Sequence, residues 1–182
     1  LIDNFLLVDQ GRLRESELLS LLGLGRFPSR NPEQNLADLK AQIAANNKGT
    51  IELKKMLEFY SVEVVCAYMQ HVQDNAEESV RRMLVKLQPG QFRYAMDDGN
   101  EIAVSVTIDR EARSAVIDFS ASSAQTTTNF NAPVAVCRAA VLYVLRTLID
   151  DDIPLNDGCL KPIRLIVPEG SILNPRPPAA VV

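Results

Sequence analysis

The chain has 182 residues, 47% of them hydrophobic and 23% charged, which suits one ordinary globular core and excludes a disordered polymer. Its net charge of −4 supplies no basic footprint, so nucleic acid is not an expected partner. The longest apolar stretch, Ala132 to Leu148, carries Arg138 and Arg146 and does not read as a membrane span. The N-terminus lacks the basic start of a secretory leader, and a cytoplasmic setting is expected.

In chain order, Phe5 to Val8 form a short apolar run before the turn signal Asp9-Gln10-Gly11. A helix is expected from about Ser16 to Leu22, closed by Gly23 or Gly25, and Phe27-Pro28-Ser29 reads as a connector. Asn31-Pro32-Glu33-Gln34 is a strong helix start: a capping asparagine, proline at the first helical position, and glutamine three residues after the cap. That helix is expected to end near Asn47 at Gly49. A second follows over about Ile51 to Phe59 and a third over about Val62 to Leu87. In the third, Val65, Tyr68, Met69, Val72, Ala76, Val80, Met83 and Leu87 recur at spacings of three and four and form one stripe. His71 stands beside it and reads as a partly buried, satisfied histidine.

After Pro89-Gly90 the hydrophobic period falls from near 3.6 to 2. Phe92, Tyr94 and Met96 alternate with polar residues. Asp97-Asp98-Gly99-Asn100 makes a hairpin turn, and Ile102, Val104, Val106 and Ile108 alternate in the next strand. After a turn at Asp109 to Ala112, Ala115, Ile117 and Phe119 share one face of a third strand, and Val116, Asp118 and Ser120 the other. A polar loop then leads into an apolar helix over about Pro133 to Leu148, which Asn131 can cap and which reads as buried nearly all round. Asp150, Asp151 and Asp152 belong to the departing loop. Pro154, Asp157 and Gly158 turn the chain, Asn156 reads as a turn residue, and Ile163 to Val167 form a fourth strand. The expected class is α+β: a helical subdomain over 1–88, then an antiparallel sheet with a buried helix over 89–182.

The three cysteines, Cys66, Cys137 and Cys159, are scattered and form no CxxC pair, so neither zinc nor a disulfide framework is indicated. Cys66 and Cys137 read as small buried hydrophobes. The start at Leu1 and the apolar end at Ala179-Ala180-Val181-Val182 are read as cuts within a longer protein.

Several runs, in order along nearly the whole chain, resemble the hydantoinase B/oxoprolinase family, and most of all the C-terminal half of ATP-dependent 5-oxoprolinases. They are Arg30-Asn31-Pro32 with Asn35 to Gln42 and Ala44-Ala45-Asn46; Ala67-Tyr68-Met69 with Asn75-Ala76-Glu77; Met96-Asp97-Asp98-Gly99; Asp118-Phe119-Ser120; Asn131-Ala132-Pro133; Asp152 to Asn156 with Gly158-Cys159-Leu160; and Pro168 with Gly170 to Leu173. One departure is Ala121, where family members usually carry a glycine soon after Asp-Phe-Ser.

The resemblance implies an enzyme of glutathione metabolism that opens a cyclic amide, 5-oxoproline, to glutamate at the expense of ATP. N-methylhydantoinases and ketone carboxylase subunits are related possibilities, and a non-catalytic scaffold or interface module is another. ATP and a divalent metal are implied for the full enzyme, with the nucleotide on a hydantoinase A-like domain or subunit and the metal ligands upstream of this segment. No metal site is expected in these residues. A homo- or hetero-oligomer is implied, and this segment alone is expected to be inactive.

Within the chain, Thr126 to Asn131 precede a helix N-terminus, where backbone amides and the helix dipole favour an anion. Thr128, Asn129 and Asn131 are therefore candidates for substrate binding; the plainer reading is a polar loop whose Asn131 caps the helix. Asp118 and Asn129 are the catalytic candidates. For Asp118, a base or metal ligand stands against a hydrogen-bonded aspartate at a strand end. Asp97 and Asp98 read as turn builders rather than metal ligands.

Overall fold

A computed structural model describes residues 4–25, 28–150 and 153–181. Phe27 of the expected connector, and Asp151 and Asp152 of the acidic run, lie outside the described residues. Two compact units are distinguished, one through Val65 and one from Cys66 onward.

The first unit begins with the antiparallel pair β1 (Val8–Asp9) and β2 (Arg12–Leu13). Both turn residues between them, Gln10 and Gly11, have positive φ, the geometry that a two-residue hairpin requires. Helix α1 (Glu15–Leu22) packs on α2 (Pro32–Tyr60). Leu18 and Leu36 are both buried, and Lys40 pairs with Glu15 at 2.8 Å. The α2 start is as expected: the Asn31 side chain accepts from the Gln34 amide at 3.2 Å and Pro32 opens the helix.

Its end is not as expected. One continuous helix of 29 residues replaces the two predicted, and it runs straight through Gly49. A mid-helix glycine costs only ~1 kcal/mol, less than the price of nucleating a second helix. Here Lys48 also bridges to Glu52 across the junction. The true break is Ser61, at φ 71°.

Helix α3 (Val62–Leu84) carries the core of the second unit on its C-terminal half. Ala76, Val80 and Leu84, one turn apart, are essentially inaccessible to solvent. They meet Ala115, Val141, Leu145, Ile149, Ile153 and Cys159. Burying Val80 and Leu84 stabilises the fold by about 1.5–3 kcal/mol each. The predicted stripe fails on the N-terminal half, where Tyr68, Met69 and Val72 are exposed. His71 is exposed too, with its ring edge-on to Tyr68, rather than partly buried. Cys66 is likewise exposed, whereas Cys137 and Cys159 are buried.

Strands β3 (Gly90–Ala95), β4 (Glu101–Asp109), β5 (Ser114–Asp118) and β6 (Ile163–Ile166) form one sheet in that order. The meander β3–β4–β5 is antiparallel as expected, with Phe92 opposite Val104 and Ile108 opposite Ala115. Asp98 builds the first turn, accepting from the Asn100 amide and side chain, with Gly99 at φ 83°. β6 departs from the antiparallel expectation: it lies parallel to β5, with Ala115 opposite Ile163 and Ile117 opposite Leu165. A parallel neighbour needs a crossover, and α4 (Val134–Leu148) supplies it. The class is α+β.

A 3-10 turn (Asp157–Leu160) after α4 docks on α3. Asn156 caps it, accepting from the Gly158 amide at 2.8 Å, and donates to the Val72 carbonyl. Gly158 lies so near the Gln73 carbonyl that a Cβ there would come within 2.1 Å of the oxygen. Only glycine fits this seam.

Helix α4 is not buried all round. Cys137, Val141 and Leu145 form a single buried stripe, while Val136, Tyr143 and Val144 are more than half exposed. Nor does Asn131 cap it: the N-cap position is Pro133, which has no side-chain acceptor to offer.

Candidate functional site

The loop between β5 and α4 is held at its root and free at its tip. Directly after β5, Ser122 and Ser123 take over from the ladder. The Ser122 hydroxyl accepts from the Ala103 amide and donates to the Ala103 carbonyl. The Ser123 hydroxyl accepts from the Glu101 amide, and its own amide donates to the Glu101 carbonyl. On the other side the loop meets residues 170–180. Gln125 N donates to the Gly170 carbonyl, Ile172 N to the Ser123 carbonyl, and Ala132 N to the Ile172 carbonyl. The Gln125 side chain accepts from Arg176 N at 2.7 Å.

Asn131 closes this root. It is only 3% exposed, yet its side chain is fully engaged. Its Oδ1 accepts from Thr126 N at 2.8 Å, and its Nδ2 contacts the carbonyls of Thr126, Thr128 and Ala180 at 2.8–3.2 Å. A buried amide with both ends paired is a structural device. Thr128 shares the network: its hydroxyl contacts that of Thr126 at 2.8 Å and accepts from Phe130 N at 3.3 Å.

Thr127, Thr128, Asn129 and Phe130 form the exposed tip. Among the described residues the Asn129 side chain makes no hydrogen bond, and the amides of Thr127, Thr128 and Asn129 donate to no protein acceptor. The first two amides of α4, at Val134 and Ala135, are likewise open. Of the candidates, Thr128 and Asn131 are therefore brought together, and Asn129 stands apart at the tip.

Asp118 lies elsewhere, at the end of β5. It faces a shallow depression of about 210 Å³ on the sheet, whose polar lining also includes Gln91, Arg93, Ser105 and Ser120. Its carboxylate accepts from Ser120 N at 2.7 Å. The Ser120 hydroxyl, then that amide, and then the charge of Arg164 hold its pKa below the ordinary carboxylate value. Such a group is a settled anion rather than a base poised near neutrality. No hydrogen bond joins it to residues 126–131. Arg93 is paired with Glu101 across the β3–β4 ladder. Ala121 keeps a negative φ, so its backbone does not demand the glycine usual in the family.

The fixing roles of Ser122, Ser123 and Gln125 were not read from the sequence. The signal was faint: two serines directly after a strand can satisfy its neighbour's backbone in place of a ladder. Among the described residues no three His, Cys, Asp or Glu side chains are grouped to hold a metal ion.

The model for the family described as hydantoinase B/oxoprolinase matches residues 1–182. The chain belongs to the hydantoinase B/oxoprolinase family. Over 185 residues this hydantoinase B/oxoprolinase chain is 42% identical to 5-oxoprolinase PfmaA of Pestalotiopsis fici, covering 96% of its own length and 14% of that protein. It is 45% identical over 163 residues to a 5-oxoprolinase of Dictyostelium discoideum, covering 85% of its own length and 13% of the relative. The chain thus spans about one-seventh of these relatives. Its fold matches the crystal structure of an ATP-dependent caprolactamase from Pseudomonas jessenii, with a TM-score of 0.66 at 22% identity. The match covers 97% of this chain and 31% of the other.

Proposed function

We propose that this chain serves as part of an ATP-dependent cyclic-amide hydrolase of the 5-oxoprolinase type, which opens 5-oxoproline to glutamate. The observation that carries this reading is the 42–45% identity to 5-oxoprolinases over most of the chain. The chain's own contribution is substrate binding: the open amides of Thr127, Thr128 and Asn129, the Asn129 side chain and the N-terminus of α4 offer donors to a carboxylate. Asn131 and Thr128 set the shape of that tip. Asp118 assists only by ordering the end of β5, from which the loop departs.

Nucleotide and metal belong, on this reading, to residues outside these 182 and to a hydantoinase A-like domain or subunit, in a cytoplasmic oligomer of glutathione metabolism. The 182 residues alone are then inactive, and ATP-dependent cleavage of 5-oxoproline by them would overturn that. The loop's role is tested in a full-length enzyme carrying this segment. Asn129→Ala should raise the KM for 5-oxoproline with little change in thermal stability, because Asn129 supports nothing in the fold; an unchanged KM removes the role. Hydantoinase or ketone carboxylase chemistry is the runner-up, distinguished by assaying N-methylhydantoin and acetone beside 5-oxoproline.

A further inference from the structure

Strand β3 is the outer strand of the four-stranded sheet, and one side of its backbone is open. The Met96 amide donates to the Asn100 carbonyl where the β3–β4 hairpin closes. Bonded and non-bonded pairs alternate along an antiparallel ladder. The N–H and C=O groups of Phe92 and Tyr94 therefore point to β4, and those of Gln91, Arg93 and Ala95 point away. Among the described residues the amides of Gln91, Arg93 and Ala95 have no acceptor. Nothing blunts this edge. The strand pairs in unbroken register from Gly90 to Ala95, without a bulge, and contains neither proline nor lysine. Phe92 is 65% exposed and Tyr94 60%. The occupant that matches such a row of donors and acceptors is another extended strand.

We propose that this occupant is β3 of a second copy of the chain, antiparallel and centred on Phe92. The strand is most self-complementary in that register. Gln91 of each copy lies opposite Arg93 of the other, so the outward backbone groups of both residues pair and the amide meets the guanidinium. Phe92 faces Phe92 across the two-fold axis as a non-hydrogen-bonded pair, the kind whose side chains come closest. Tyr94 of each copy covers Gly90 of the other, where the ring meets no side chain. Ala95 falls opposite Pro89, which has no N–H to donate, and the ladder ends there. Centring on Arg93 would set two guanidinium groups directly opposite each other. Centring on Gln91 would leave Phe92 opposite glycine and Arg93 opposite Pro89. The pairing does not use the substrate proposed above, so the failure of either leaves the other standing.

The first test is disulfide cross-linking in a Cys66→Ser background. Opposed non-hydrogen-bonded residues have Cα atoms about 4.5 Å apart, within reach of a disulfide. Phe92→Cys should therefore oxidise to a covalent dimer. Tyr94→Cys, comparably exposed, stands four residues out of register with its counterpart, about 13 Å away, and should not. Equal cross-linking of the two marks random collision and overturns the proposal.

Sedimentation of the 182-residue chain supplies a second test. The parent should form a dimer that dissociates on dilution. Arg93→Pro leaves the β3–β4 ladder its bonds, because the Arg93 N–H points away from β4, and removes a donor from the interface. It should abolish the dimer with little change in the circular-dichroism spectrum. Gln91→Glu, opposite Arg93, should tighten the dimer about threefold, and Gln91→Arg should weaken it by about as much or more. A chain that is monomeric throughout, or a dimer indifferent to all three changes, overturns the proposal.

Discussion

The side chain of Asn131 donates to the backbone carbonyl of Ala180, 49 residues further along the chain, at 2.8 Å. Together with its contacts to Thr126 and Thr128, this bond ties the candidate loop to the last described segment. Asn131→Ala should therefore cost about 2–4 kcal/mol, because it orphans buried groups rather than merely losing a neutral exchange with water. Asn131→Asp should be at least as damaging, since it aims a carboxylate at three carbonyl oxygens. Urea denaturation of the two variants beside the parent checks both; a loss near zero for Asn131→Asp would mean that the network is not formed.

Gly158 and Gly49 should respond to alanine with opposite signs. At Gly158 the new Cβ would meet the Gln73 backbone carbonyl, which cannot swing away. A loss of about 3 kcal/mol is expected. At Gly49 nothing lies within 4 Å and the backbone is helical, so alanine should stabilise by about 0.5–1 kcal/mol. Thermal melts of the two single variants settle it, and equal effects would contradict the seam.

The three cysteines should separate by reactivity. Cys66 is exposed, while Cys137 and Cys159 are buried, and burial pushes the Cys137 thiol above its ordinary pKa. One thiol should react with a disulfide reagent in the native protein and all three only after unfolding. The raised Cys137 value favours the folded state fully below the unfolded thiol pKa, and that contribution fades as pH rises through the folded value. Rapid native labelling of Cys137 would contradict its place on the buried face of α4.

Asp118 carries the opposite sign. Its folded pKa is depressed, so its contribution is complete above the unfolded carboxylate value, near 4, and is lost as pH falls through the folded value. Ser120→Ala removes the hydroxyl that is the first cause of the depression. The Asp118 titration followed by carboxyl carbon NMR should then move upward. The stability difference between variant and parent should be present at neutral pH and shrink in acid.

Local chemistry was legible in the sequence where one signal decided the outcome. Asn31-Pro32 fixed a helix start, Asp98-Gly99-Asn100 a hairpin, and the alternation around Val104 and Val106 a strand. What escaped was set by tertiary context. Gly49 was outweighed by the continuity of a long helix. Period-two alternation says nothing about strand direction, so the parallel β6 was invisible. Asn131 stands where a helix cap could stand, but Ala180 and the Thr126–Thr128 backbone claim its side chain instead. The wide apolar surface of α4 looked like complete burial because sequence shows which faces avoid water, not which are already covered. The site candidates follow the same rule: the loop was visible as polar chemistry before a helix, but its separation from Asp118 was not.

The parallel placement of β6 also bears on the order of assembly. β3, β4 and β5 can pair through two short turns, whereas β6 finds β5 only after the whole α4 crossover is in place, so its loop-closure entropy is met late. The meander should thus be formed at the folding barrier and β6 should join beyond it. Val106→Ala would then slow folding, while Leu165→Ala would chiefly speed unfolding. By the same ordering, the amides of β6 should exchange with solvent before those of β4, making the most distant strand in assembly the earliest to open.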